Sequence, residues 1–132
     1  MHLLRACATA LCLALPPVAS SAQSYTLYMV EQPGCLYCRQ WDREVSAAYA
    51  ASPHAEIAPL VRIALRDGPP DGVAFVSRPV LTPTFVLTRD DIEIGRIEGY
   101  QSADFFWGFL DRMLTEAGAL PIPGPAADAG SD

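Results

Sequence analysis

Two cysteines three residues apart, Cys35 and Cys38, stand where a strand-like stretch hands over to a helix-like one. No other feature constrains the fold as much. Tyr25 to Val30 (Tyr-Thr-Leu-Tyr-Met-Val) has the aromatic and β-branched composition of a strand. Gln32-Pro33-Gly34 turns the chain, and Cys35 follows at once. From Cys38 onward Trp41, Val45, Ala48 and Tyr49 recur at three- and four-residue steps, as on one helix face. Asp42, Arg43 and Glu44 fill the opposite side, and Ser52-Pro53 predicts the end of that helix. A chain built this way must put both sulfurs at a helix tip.

The remaining pattern is that of one small α/β domain. Ile57 to Leu65 is mainly apolar and predicts a buried strand, and the breakers from Asp67 to Gly72 predict a loop. A short helix is expected within Gly72 to Arg78. Thr84 to Thr88 and Ile92 to Ile97 read as strands joined by Asp90-Asp91, with Gly95 a candidate bulge. Ser102 is a good N-cap for a helix over 103–117, with Asp104 in its first turn. That helix is expected to bury Phe106, Phe109, Leu110, Met113 and Leu114, and Gly118 stops it. The predicted order is β-α-β-(α)-β-β-α, a mixed four-stranded sheet with flanking helices. The first two strands should be parallel and the last two a hairpin.

The N-terminus reads as a secretory signal. Arg5 is the only early charge, Ala6 to Leu15 is apolar, and Val18 to Ala22 is small-residue chain suited to cleavage. The apolar core is about 10 residues, against roughly 20 for a membrane span. Arg5 and Leu11, in the neighbourhoods of Cys7 and Cys12, speak against a lipid anchor. Cleavage after Ala22 leaves 110 of the 132 residues, with a domain expected over 23–120 and a flexible tail over 121–132 rich in Pro, Gly and Ala. The expected setting is the periplasm, with no membrane insertion after cleavage. Losing Arg5 leaves 8 arginines against 15 Asp+Glu, a net charge near −7, and there is no lysine. Such a surface argues against nucleic acid and anionic membranes.

Cleavage also removes Cys7 and Cys12, so Cys35 and Cys38 are the only cysteines left. A bridge between them closes a tiny loop and constrains the unfolded chain little. In an oxidising compartment the pair therefore reads as redox-active rather than as a brace. A helix tip stabilises a thiolate, which makes Cys35 the expected attacking sulfur. Cys38, one turn on, would resolve the mixed disulfide. Metal sites use the same spacing, but a structural zinc site needs four ligands and only His54 remains beyond the two cysteines. No cofactor is expected. A two-thiolate Cu(I) carrier is the reading from another class.

Thr82-Pro83-Thr84 opens the third strand, where a proline costs a ladder donor. It is either an ordinary strand-entry proline or a cis-proline beside the cysteines. In the second case the Thr82 backbone pairs with an extended substrate by strand addition. Tyr37, between the cysteines, is a candidate for substrate contact, and Arg39 a candidate for thiolate support. Trp41, Tyr49 and Trp107 read as packing residues.

A strand, Cys-x-x-Cys at a helix tip, and Thr-Pro about 45 residues later opening a hairpin resemble the thioredoxin superfamily. The match covers residues 24–117, and the core looks glutaredoxin-sized. The resemblance implies that Cys35 is the nucleophile, Cys38 the resolving cysteine and Pro83 the cis-proline, with Gly99 matching a glycine common before the last helix. Thioredoxins carry a buried Asp in the strand before the motif, and here the nearest acid is Glu31. Pro33-Gly34 stands where many such motifs have Trp, and basic residues to hold glutathione are not evident. Pro33-Gly34-Cys35-Leu36-Tyr37-Cys38 is most similar to the SoxS type of periplasmic thioredoxin-like proteins of bacterial sulfur-oxidation systems. That likeness implies a reductase of protein disulfides or cysteine–sulfur adducts that reactivates a sulfur-carrier protein and draws on a membrane electron donor. A monomer is expected. A disulfide-forming oxidant of the same fold is the alternative, since direction follows from reduction potential.

Overall fold

The computed structural model describes residues 22–122. The expected signal segment, Ala22 apart, and the expected tail beyond Ile122 lie outside the described residues. β1 (Tyr25–Glu31) is the second strand of a four-stranded sheet ordered β2-β1-β3-β4. β2 (Leu60–Ala64) runs parallel to it, and β3 (Thr84–Arg89) runs antiparallel on its other side. β4 (Ile92–Glu98) closes the hairpin with β3. Both faces of β1 are covered, which explains its unbroken apolar run. Leu27 and Met29 face the helices, while Tyr28 and Val30 join Val86 under Phe75 and Val73. The predicted α/β class and mixed four-stranded sheet are those of the structure.

The helix after the cysteines is one rod over 36–50, made of α1 (Leu36–Trp41), a π-helical turn (Asp42–Ser46) and α2 (Ala47–Ala50). Trp41, Val45 and Tyr49 are buried at four-residue steps. At 3.6 residues per turn each such step drifts by about 40°, and the wider π turn takes up that drift. Ala48, expected on the buried face, is therefore exposed. The rod, β3 and α4 (Ala103–Glu116) meet in an aromatic core. Trp41 lies 5.2 Å from Phe85 and 5.5 Å from Phe106, and Phe85 lies 4.9 Å from Phe106, ring to ring. Edge and tilted contacts of this kind add to area burial.

Several expectations are corrected. The rod ends as predicted near Ser52, but Pro53 then starts a further helix, α3 (Pro53–Ile57), with extended Ser52 before it. A proline ring is preset for the first helical position, where its missing N–H costs nothing. The second strand therefore begins after Pro59 rather than at Ile57, and as an edge strand it leaves Val61 and Arg62 exposed. No helix forms within Gly72 to Arg78. The Ala74 backbone is spent on β4 instead, donating to Asp91 O at 2.8 Å and accepting from Glu93 N at 2.9 Å. The Glu93 carboxylate takes the Val76 N–H at 2.7 Å and pins the segment.

On α4, Phe106, Leu110 and Leu114 are fully buried, but Phe109 is 45% exposed and stacks on Phe105 outside the core. Met113 is half-buried, fitted against Gly95, where a Cβ would come within 2.7 Å of its sulfur. The bulge expected at Gly95 is present. Leu87 pairs with Gly95 and Thr88 with Glu93, which leaves Ile94 as the extra residue.

Candidate redox site

The site is built from the end of β1. Gln32 to Gly34 makes the turn, with the Cys35 N–H returning to Gln32 O at 3.2 Å and Gly34 at φ +80°. That left-handed backbone favours glycine. Cys35 is then the N-cap of α1 in extended geometry, and its sulfur accepts the Cys38 N–H at 3.1 Å. A side-chain acceptor normally supplied by Ser, Thr or Asp is here a sulfur. Cys35 and Cys38 are joined, with S–S 2.05 Å and Cα–Cα 5.3 Å. Cys35 is 8% exposed and Cys38 4%, so both residues are buried, Cys35 slightly less so. Leu36 and Tyr37 between them point outward, both more than half exposed.

The sheet register brings the second predicted feature to the same end. Thr84 pairs with Val30, which sets Pro83 level with Glu31, one step from the cysteine turn. The Thr82–Pro83 peptide bond is cis and Pro83 is buried. Pro83 O accepts from Gly99 N at 2.7 Å, and Gly99 sits at φ +83°. Thr84 is fully buried and its hydroxyl donates to Leu81 O at 2.8 Å. Thr82 is half-buried, and neither of its backbone groups bonds another described residue.

Sequence reasoning missed a charged cluster beneath the turn. Arg62, on edge strand β2, donates to Glu31 at 2.9 Å and to Asp42 in the rod, and stands 5.6 Å over the Trp41 ring. The Asp42 hydrogen bond in particular pushes its pKa further up, so the guanidinium is held charged. Glu31, the nearest acid to the motif, is thus tied to Arg62. Strand register alone makes this contact, because Met29 pairs with Arg62, and no spacing in the sequence signals it. Arg39 is exposed beyond the motif.

This arrangement is suited to reversible thiol–disulfide exchange: one cysteine caps a helix tip, the second lies one turn on, and their bond is formed. Neither a comparison with protein-family models nor one with curated proteins finds a match. Among solved structures, one likeness is to a chain from the structural study of the thiol-resolving mechanism in yeast mitochondrial 1-Cys peroxiredoxin via glutathione/thioredoxin systems. At 19% identity and TM-score 0.50, over 67% of this chain and 78% of that one, it is a likeness of fold. The reduced form of the periplasmic thioredoxin SoxS from Paracoccus pantotrophus is 44% identical, with TM-score 0.69, over 71% of this chain and 99% of that one. At that identity and coverage, the chain belongs to the SoxS family of thioredoxin-fold thiol–disulfide oxidoreductases.

Proposed function

We propose that the chain works in the periplasm as a reductase of protein disulfides or cysteine–sulfur adducts, and that one substrate is a sulfur-carrier protein with a blocked cysteine. The single observation that carries the reading is the Cys35–Cys38 bond at the tip of α1, with Cys35 as the helix N-cap. The signal-like N-terminus and the periplasmic relative support the compartment.

The exchange balances in two steps. The Cys35 thiolate attacks one sulfur of the substrate disulfide, forming a mixed disulfide and expelling the other sulfur as a thiolate that takes up a proton. Cys38 then loses its proton and attacks the Cys35 sulfur, releasing the second substrate thiolate. The substrate gains two electrons and two protons, and Cys35–Cys38 is left oxidised. A dithiol donor, supplied with electrons across the membrane, returns the pair to thiols. Thr82 offers free backbone groups to an extended substrate strand beside Pro83, and Tyr37 covers its approach.

The test is the reduction potential of the Cys35/Cys38 couple in a dithiothreitol redox buffer. A value near about −270 mV supports a reductase, and one near about −120 mV assigns the chain to the oxidants.

A further inference from the structure

The end of the molecule that carries the cysteines also carries a groove of about 520 Å³. Pro33, Leu65, Pro79 and Val80 give it apolar walls, and Arg66 and Arg78 are its cations. Its one acid, Glu31, is already held by Arg62 at 2.9 Å. Arg78 donates to the carbonyl oxygens of Arg66 at 2.9 Å and Leu65 at 3.5 Å. Those bonds fix the guanidinium without neutralising it. Arg66 meets Asp67 at 3.4 Å, with both side chains largely exposed, and such a contact holds little. The groove is therefore a positive spot on a chain whose net charge is −6.

Two arginines in a largely apolar groove match a carboxylate, which can accept paired N–H bonds from each planar fork. The apolar walls match the peptide that carries it, since a free inorganic anion would need none of them. The overall negative charge does not forbid an acidic partner. Remote charges are screened over about 8 Å at physiological salt, whereas a contact inside the groove is screened less. Distance sets the position of the acid. Pro33 lies two residues from Cys35, at most about 7.6 Å along the chain. An extended substrate advances about 3.3 Å per residue, so its side chain reaches the groove from two or three positions away.

We infer that this groove binds a side-chain carboxylate of the protein substrate, two or three residues from the reacting cysteine, and so selects cysteines with acidic neighbours. The inference rests on the reductase reading of the cysteine pair. The reduced full-length protein is mixed in single turnover with disulfide-linked peptide dimers that differ only in Glu, Gln or Lys at the third position from cysteine. The Glu dimer is expected to react about five- to tenfold faster than the Gln dimer at low salt, as a charge-assisted contact implies, and the gap should narrow as salt rises. Arg66→Glu should reverse the order, placing Lys ahead of Glu. Replacing both Arg66 and Arg78 by Gln should bring the Glu-to-Gln ratio to about one. Arg78 also ties down a loop, so the Arg66→Glu variant is the deciding one. Equal rates for Glu and Gln in the native protein, or an order unmoved by Arg66→Glu, would overturn the groove while leaving the reductase reading intact. If no dimer reacts at all, the reductase reading falls and takes the groove with it.

Discussion

The Cys38 backbone N–H points at the Cys35 sulfur from 3.1 Å, so the first turn of α1 is capped by the atom that the exchange chemistry would use. The same donor that caps the disulfide form would stabilise a Cys35 thiolate once the bond is reduced. Cys38 is the less exposed residue of the pair and has no such donor aimed at it among the described bonds.

The reduced protein should therefore titrate asymmetrically. Alkylation of Cys35 by iodoacetamide, followed against pH, should show a midpoint below that of a free cysteine, about 8.5. Cys38 should stay unmodified through the same range. A Cys35 midpoint at about 8.5 would mean that the helix tip contributes nothing to its reactivity.

Separating the two sulfurs by mutation should expose their order. Cys38→Ala should accumulate a stable mixed disulfide with substrate through Cys35, visible as a reductant-sensitive adduct on a gel, because no second sulfur remains to release it. Cys35→Ala should form none, since the remaining sulfur is buried. Equal adduct from both variants would sink the assigned order. Identifying the trapped protein would also decide whether a sulfur carrier is a substrate.

What could be read in the sequence follows from how local each signal is. β1, the Gln32–Gly34 turn and the start of α1 are consecutive, and their periodicities and breakers lie in one unbroken stretch. The Ile92–Glu98 strand with its Gly95 bulge, and Ser102 as N-cap, are equally local. The π turn is invisible in composition, because a four-residue apolar step suits α and π windings alike until the drift is summed over three turns. Residues 72–78 misled because Val, Ala and Phe in mixed order fit several backbones. The Asp91 and Glu93 backbone groups that claim Ala74 are distant in sequence. Nothing local marks Arg62 for the same reason: its partners Glu31 and Asp42 lie 31 and 20 residues away.

Arg62 is a clasp between β1, β2 and the rod, and its removal should be felt in stability. Arg62→Met keeps the stem over Trp41 but loses two carboxylate partners and the cation over the ring. Half-exposed ion pairs hold a few tenths to about 1 kcal/mol each, and an exposed cation–π contact about 0.5–1 kcal/mol. The expected loss is about 1–2 kcal/mol, read as a lower urea midpoint with unchanged slope. Glu31→Gln alone should lose less than half of that. An unchanged midpoint in Arg62→Met would show that the pairs are balanced by their desolvation.

The contact between Glu44 and Tyr100 ties the rod to the segment after Gly99, with the hydroxyl donating to the carboxylate at 2.5 Å. That bond, helped by Gln40, holds the Glu44 pKa below the usual carboxylate range. The lower folded value means that Glu44 adds stability above the unfolded value of about 4.3, and loses it as pH falls through the folded one. Tyr100 moves the other way: burial first, then the Glu44 hydrogen bond, raises its pKa. A raised value adds stability below about pH 10, lost as pH climbs toward the folded value. Tyr100→Phe should therefore lower the urea midpoint at pH 7. The gap to the native protein should narrow as pH falls through the folded value of Glu44, below which the carboxyl is protonated in both states. It should narrow again above pH 10, where ionisation of the tyrosine weakens only the native protein. A gap of constant size from pH 7 down to the acid limit of the folded state would locate the loss in packing of the ring rather than in the hydrogen bond.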